Sequence, residues 1–102
     1  MVEVTWTPEA ENCLKEIYDI IALDKPNIAK QVINEVYKKV EVLFDFPFSG
    51  YRLHEYKKHE IRVIQYGHYK IVYHIKNEKQ ISIIAVHNDA FNIIQYLNFK
   101  VF

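Results

Sequence analysis

The side chains of this chain that could do chemistry are its five histidines, its single cysteine and a scatter of basic and tyrosine residues. A metal site would need histidine or cysteine ligands at a helical or loop spacing such as His-x3-His. His54, His59, His68 and His74 show no such spacing, and no cysteine lies near them in the sequence. We therefore predict that the protein binds no zinc and no other cofactor.

The charges of the chain balance. Lysine plus arginine amounts to 13 residues and aspartate plus glutamate to 13, so the formal net charge is zero. Proteins that work on nucleic acid usually carry a basic excess, because phosphate contacts supply most of their non-specific affinity. Local basic clusters are present, but we expect a poor general nucleic-acid binder.

The length of 102 residues is typical of one domain, and we assign residues 1–102 to a single domain. No apolar run approaches the about 20 residues that cross a bilayer. The first residues lack the basic flank and apolar stretch of a secretory signal. Cys13 has no partner for an internal disulfide, which agrees with a reducing compartment. We expect a cytoplasmic protein without a membrane partner.

Hydrophobic periodicity divides the chain into a helical part and a strand part. Ala10, Leu14 and Ile17 recur at helical spacing after Thr7, a suitable N-cap, and Pro8, a suitable first helical residue. The predicted elements are a strand at 2–6, helices at 8–23 and 26–44, strands at 59–66, 69–76 and 80–87, and a short terminal helix capped by Asn88 or Asp89.

This order of elements predicts an α+β fold. Two helices joined by so few residues must lie antiparallel, as a hairpin. A helical hairpin buries its apolar stripe best on one face of a sheet. The prediction is an N-terminal strand, an antiparallel helical hairpin packed on a mostly antiparallel four-stranded sheet, and a short C-terminal helix.

Gly67 and His68 fit a two-residue hairpin turn, with glycine at the first central position as type II′ prefers. With that turn, Arg62 lies opposite Tyr73, and Lys70 lies opposite Gln65. Because side chains alternate along a strand, Arg62 and Lys70 are then on opposite faces of the sheet. A turn with an odd number of residues would reverse this result.

Five segments, in this order and spacing, resemble the RelE/ParE superfamily of bacterial type II toxins. They are Trp6-Thr7-Pro8-Glu9-Ala10, Ala29, Leu43-Phe44-Asp45-Phe46-Pro47 with Gly50, Ile61-Arg62 followed by Tyr69-Lys70-Ile71-Val72-Tyr73, and Ile84-Ala85-Val86-His87. The resemblance covers nearly the whole chain. The long helical hairpin and the segment from Pro47 to Gly50 look closer to ParE than to RelE.

RelE-like members are ribosome-dependent ribonucleases, and this resemblance implies four candidate catalytic residues: Arg62, Lys70, His87 and Tyr96. Cleavage by attack of the 2′-hydroxyl needs a base, cations that neutralise the phosphate, and an acid. The predicted placement of Arg62 and Lys70 on opposite faces argues against one site. The alternative roles are structural: Arg62 stacked on Tyr73 or paired with an acid, Lys70 solvated, and His87 hydrogen-bonded.

The residues that follow His87 depart from both subfamilies. RelE-like enzymes commonly have a basic residue just after the last strand, whereas Asp89 is acidic and would repel a phosphate. Many ParE-like chains have an arginine at the position of Ala90. Inherited activity of either kind is therefore not assured by the resemblance.

Aromatic residues are abundant, with eight tyrosines, six phenylalanines and one tryptophan. We assign Trp6, Phe44, Phe46 and Tyr73 to the core. A neutral domain of this size does not easily bury the rest, and exposed aromatic clusters usually mark a protein interface. The predicted surface aromatics are Tyr51, Tyr56, Tyr66, Tyr96, Phe99 and Phe102.

The ParE-like resemblance implies a toxin that inhibits DNA gyrase by protein–protein contact and has no catalytic chemistry of its own. It also implies a cognate antitoxin, whose tail would lie in the groove between helical hairpin and sheet through an apolar, aromatic interface. Two alternatives remain open. One is a RelE-like mRNA interferase, an endoribonuclease acting on ribosome-bound mRNA, and the other is a degenerate, non-toxic member.

Overall fold

The computed structural model describes residues 2–100. The elements in chain order are β1 (Glu3–Trp6), α1 (Pro8–Ala22), α2 (Pro26–Glu41), a single 3-10 turn (Val42–Phe44), β2 (Tyr51–Arg52), β3 (Glu60–Tyr66), β4 (Tyr69–Asn77), β5 (Gln80–Asn88) and α3 (Ile93–Phe99). None of the helices in this part of the chain is long and apolar enough to cross a membrane.

Within residues 2–100 five strands form one sheet, in the order β1-β5-β4-β3-β2. β1 is parallel to β5, and the other neighbours are antiparallel. The α+β class is confirmed, but the predicted count of four strands is wrong. The additional strand, β2, has only two residues, which pair with Arg62 and Val63 of β3. A strand this short has no alternating pattern that a sequence could reveal.

Capping groups set the ends of the helices. Thr7 caps α1 as predicted, because its hydroxyl accepts the N–H of Ala10 at 3.2 Å. The second predicted helix is too long, since α2 ends at Glu41 and a 3-10 turn follows. The predicted cap of the terminal helix is wrong: Asn92 caps α3 by accepting the N–H of Gln95 at 3.0 Å.

The turn between β3 and β4 has two residues, as predicted. Tyr66 pairs with Tyr69, which places Arg62 opposite Tyr73 and Gln65 opposite Lys70. Gly67 has a φ of 56°, and among residues 2–100 no other residue has a positive φ. The glycine supplies the backbone conformation that a type II′ turn requires at this position.

The chain covers both faces of the sheet. On the face toward α1 and α2, called here the hairpin face, the buried core includes Leu14, Val36, Leu43, Ile71 and Tyr73. On the opposite face, called here the α3 face, the core includes Leu53, Tyr56, Val63, Val72 and Leu97. α3 and the segment between β2 and β3 thus bury strand residues that would otherwise be solvated.

Thr7 joins the start of α1 to the middle of β5. Its backbone N–H and its hydroxyl both donate to the carbonyl oxygen of Ile83, at 3.1 Å and 2.8 Å. The pairing of β1 with β5 ends at Ile83. α1 therefore continues alongside the remaining half of β5, and this arrangement creates a groove between a helix and a strand edge.

Candidate functional site

Arg62 lies on the hairpin face and is held by its surroundings. Its Nε donates to the carboxylate of Glu60 at 2.9 Å, and its Nη1 donates to the carbonyl oxygens of Gly50 at 2.7 Å and Phe48 at 3.2 Å. Its Cζ lies 5.0 Å from the centre of the Phe48 ring. The expected acidic partner is therefore present, but the ring under the guanidinium belongs to Phe48 and not to Tyr73.

Tyr73 holds the loop from Pro47 to Gly50, which Arg62 also contacts. The phenol is fully buried, donates to the carbonyl oxygen of Pro47 at 2.8 Å, and accepts the N–H of Gly50 at 2.9 Å. Burial raises the pKa of Tyr73, so the phenol remains a donor at neutral pH. A Cβ at Gly50 would lie 2.7 Å from both the phenol oxygen and the carbonyl oxygen of Val63, which leaves room only for glycine.

Lys70 and His87 are direct neighbours across β4 and β5, and the alternation of side chains places both on the α3 face. The ring of His87 stacks on Phe91 with centroids 3.7 Å apart, and it meets Tyr96 edge-on at 5.8 Å. Its Nε2 lies 3.7 Å from Sγ of Cys13 on α1. The structure therefore brings together three of the four predicted catalytic residues, Lys70, His87 and Tyr96, and separates Arg62 from them.

Burial sets the protonation of this cluster. It lowers the pKa of His87, so the imidazole is neutral at pH 7, and it raises the pKa values of Tyr96 and Cys13, so both remain protonated. The neutral imidazole stacks on Phe91, the phenol meets both rings edge-on and the thiol lies against the imidazole, so the four side chains form a half-buried packing unit. The interaction of Cys13 with His87 was missed in the sequence, because 74 positions separate the two residues.

Asp89 places a carboxylate at the same end of the α3 face. Its Oδ1 accepts the side-chain amide of Gln65 at 2.8 Å, and its Oδ2 lies 3.7 Å from Nδ1 of His68. Gln65 is the cross-strand neighbour of Lys70, so the carboxylate lies beside the row that contains Lys70 and His87. A scissile phosphate at this row would meet one ammonium group and one carboxylate.

The exposure of the aromatic residues differs in part from the prediction. Phe46, assigned to the core, is 66% exposed, and Tyr56, assigned to the surface, is buried. Trp6 and Tyr73 are correctly assigned, with Trp6 packing on Tyr37 at a centroid distance of 4.9 Å. Phe99 is exposed as predicted, whereas Phe102 lies outside the described residues.

Among the surface grooves formed by residues 2–100, two bear on the binding of a partner. One, of about 280 Å³, lies between α1 and the end of β5. Its lining includes Cys13, Glu16, Ile17, Ile20, Ile21, Tyr69, Val86, His87 and Asn88. The other, of about 530 Å³, is formed after α2 by the loop that Arg62 and Tyr73 hold, and Phe46 and Phe48 line it. Within residues 2–100 no group of three or more histidine, cysteine or acidic side chains could hold a metal ion.

Comparison with known proteins gives one family and one fold. Residues 4–92 match the family model described as ParE toxin of type II toxin-antitoxin system, parDE. A solved structure, described as the chromosomal ParDE TA system from P. aeruginosa, superimposes with a TM-score of 0.72 and 22% sequence identity. The similarity covers 86% of this chain and 96% of that chain. No curated protein matches the sequence.

Proposed function

The chain belongs to the ParE toxin family of type II toxin–antitoxin systems, and from this membership we propose that it inhibits DNA gyrase by protein–protein contact and is neutralised by a cognate antitoxin. The observation that carries the proposal is the separation of Arg62 from Lys70 by the full thickness of the sheet. The basic pair that RNA cleavage would need on one phosphate therefore does not form, and contact remains as the mode of action.

The guanidinium of Arg62 is also committed to other groups. It pairs with Glu60 and donates to two loop carbonyl oxygens, and its side chain is only 19% exposed. Moving it to a phosphate would break three hydrogen bonds and leave the Glu60 carboxylate uncompensated. Charge-assisted hydrogen bonds contribute about 1.5–3 kcal/mol each, so the structural role of Arg62 outweighs a catalytic one.

The remaining three candidates are poorly suited to proton transfer. Protonation of the leaving oxygen requires an acid with a pKa near the working pH. Burial moves both pKa values away from neutral pH. It lowers the pKa of the His87 imidazole and raises the pKa of the Tyr96 phenol. The ammonium group of Lys70 would attract the scissile phosphate, whereas the carboxylate of Asp89 would repel it. An mRNA interferase is the weaker reading of this geometry.

The groove between α1 and β5 suits an antitoxin tail. β1 pairs with β5 only up to Ile83, so beyond that residue the β5 edge that faces away from β4 borders the groove, at Val86 and Asn88, instead of a further strand. Apolar side chains of α1 form the other wall, and Ile20 is 70% exposed there. An extended segment in this groove would add to the strand edge and bury Ile20 at the same time.

The proposal is tested by adding the purified chain to gyrase in a supercoiling assay, and by inducing its expression in a bacterial host while mRNA integrity and supercoiling are followed. We expect blocked supercoiling with intact messages, and relief of both effects when the product of the adjacent small reading frame is co-expressed. Rapid message cleavage without gyrase inhibition would establish the interferase. Normal growth with normal supercoiling would establish a degenerate member.

A further inference from the structure

The loop after α2 displays two phenylalanines to solvent. Phe46 is 66% exposed and Phe48 is 59% exposed, and Val42, at 40%, lies in the same groove. We call Val42, Phe46, Phe48 and Arg52 the Phe48 surface. Large apolar side chains exposed together are uncommon on a monomer and usually mark an interaction site.

The loop that carries Phe46 and Phe48 is held rigidly against the sheet. Three residues of the loop are tied to the sheet, since the carbonyl oxygens of Pro47, Phe48 and Gly50 accept hydrogen bonds from Tyr73 or Arg62. The Phe48 ring is further held under the guanidinium of Arg62. An anchor that is fixed before binding loses less conformational entropy when a partner arrives, and such anchors contribute most to affinity.

The charge beside Phe48 is positive and incompletely neutralised. Arg52 of β2 is the direct cross-strand partner of Arg62, so the two guanidinium side chains extend from the same face. Glu60 neutralises Arg62. Arg52 is exposed, and within residues 2–100 its side chain has no ion pair or hydrogen bond. Arg52 is therefore the cation that a carboxylate of a partner would meet at this surface.

We propose that the Phe48 surface is the contact through which this toxin binds gyrase, by taking up a segment of that protein in which a carboxylate lies next to an apolar side chain. The carboxylate pairs with Arg52, and the apolar side chain fills the groove between Phe46 and Phe48. The inference rests on the proposed function, because gyrase as the target comes from that proposal. It adds the surface and the chemistry of the contacted segment.

The position of the Phe48 surface separates target binding from antitoxin binding. Its groove is lined by residues 42–49, whereas the groove that we assign to the antitoxin is lined by residues of α1, β4 and β5, and the two linings share no residue. β1 and β2 are the two edges of the described sheet. Substitutions at one surface therefore leave the other intact, and this independence provides an internal control.

A protein segment fits this surface better than DNA does. Binding to DNA depends on several cations that neutralise phosphates, whereas the lining of the groove is largely phenylalanine, proline and valine and includes the acidic Asp45. The formal net charge of the chain is zero. A single arginine beside two apolar anchors is typical of a protein hot spot.

The experiment measures inhibition of supercoiling by the gyrase holoenzyme, and binding of the same enzyme to immobilised toxin. Phe46→Ala and Arg52→Glu are compared with two matched controls, Phe99→Ala and Asp45→Lys. Phe99 is 81% exposed on α3, and Asp45 carries the opposite charge in the same groove. We expect Phe46→Ala and Arg52→Glu each to weaken binding about tenfold or more, the usual loss at a hot-spot residue.

The controls decide between the possible outcomes. Phe99→Ala should bind gyrase like the wild type, Asp45→Lys should bind equally or more tightly, and all four variants should bind the antitoxin normally. Equal inhibition by Phe46→Ala and wild type would show that the Phe48 surface is not the gyrase contact, and gyrase would remain the target. Weaker binding of Asp45→Lys, or loss of DNA binding rather than enzyme binding in Arg52→Glu, would also overturn it. A wild-type chain that does not inhibit gyrase would instead overturn the proposed function.

Discussion

The phenol oxygen of Tyr73 lies 2.9 Å from the backbone nitrogen of Gly50 and accepts its N–H inside the core. The same oxygen donates to the carbonyl of Pro47. One buried hydroxyl therefore satisfies two main-chain groups of a loop that connects the helical hairpin to the sheet. Because buried main-chain groups are costly when unpaired, the loop conformation depends on this side chain.

Tyr73→Phe should lower the free energy of unfolding by about 1–3 kcal/mol, since it leaves the Gly50 N–H and the Pro47 carbonyl without their buried partner. Urea denaturation of both proteins measures the difference. Tyr37→Phe is the matched control, because Tyr37 is 42% exposed and its change should stay within about 0.5 kcal/mol. Equal losses in the two variants would show that the buried hydroxyl of Tyr73 contributes no more to stability than the exposed hydroxyl of Tyr37.

Gly50→Ala should lower the free energy of unfolding by about 1–3 kcal/mol, because the new Cβ would lie 2.7 Å from the Tyr73 phenol oxygen and from the Val63 carbonyl. A double-mutant cycle with Tyr73→Phe separates the two contacts. Removing the hydroxyl should recover part of the loss, so the two substitutions should be non-additive. Strict additivity would mean that the clash lies with the Val63 carbonyl and with the ring carbon Cε1 of Tyr73, which is 2.8 Å from the new Cβ and is kept in Tyr73→Phe.

Stability should fall as the pH drops below 6.5, the ordinary pKa of histidine. The pKa of His87 is lowered in the folded protein by burial, from an ordinary value of 6.5. Its contribution is therefore fully present above pH 6.5 and is lost progressively as the pH falls below that value, because the unfolded chain takes up the proton first. The pKa of His74 is lowered in the same direction and for the same first reason.

Thermal unfolding of wild type and His87→Gln across this pH range measures the effect. The melting temperature of the wild type should fall as the pH drops below 6.5. This fall should be smaller in His87→Gln, and smaller again when His74→Gln is combined with it. His68→Gln is the control, because the His68 side chain is 95% exposed. Parallel pH profiles for wild type and His87→Gln would contradict the assignment.

Lys70→Ala should leave growth inhibition within about twofold of wild type, because the proposed inhibition of gyrase by contact would not need a cation on the α3 face. The measurement is the growth rate after graded induction, with the amount of protein checked on a blot. An mRNA interferase would instead lose activity by about 10²-fold or more, the usual effect of removing a group that stabilises transition-state charge. A loss of that size would return Lys70 to a catalytic role.

Ile20→Glu should weaken binding of the antitoxin about tenfold or more without loss of stability, since the side chain is 70% exposed in the groove between α1 and β5. A titration by calorimetry measures the dissociation constant. Leu23→Glu is the control, being 89% exposed and outside the groove lining. Equal weakening by both would mean that the antitoxin covers the end of the hairpin rather than the groove.

Residues close in sequence determined much of this fold. Thr7 and Pro8 set the start of α1, and Gly67 with His68 set a two-residue turn, because capping and turn conformation depend on neighbouring backbone groups. Once the turn was known, alternation alone placed Arg62 and Lys70 on opposite faces. The placement of these two basic residues on opposite faces could therefore be predicted from the sequence.

The tertiary structure decided which apolar residues are buried and which distant groups meet. Phe46 and Tyr56 have similar hydrophobicity in a sequence, yet Phe46 is exposed because Tyr73 and Arg62 hold the adjacent loop by its carbonyl groups. The contact of Cys13 with His87 joins elements 74 positions apart. Such contacts depend on how whole elements pack, and local propensity carries no information about them.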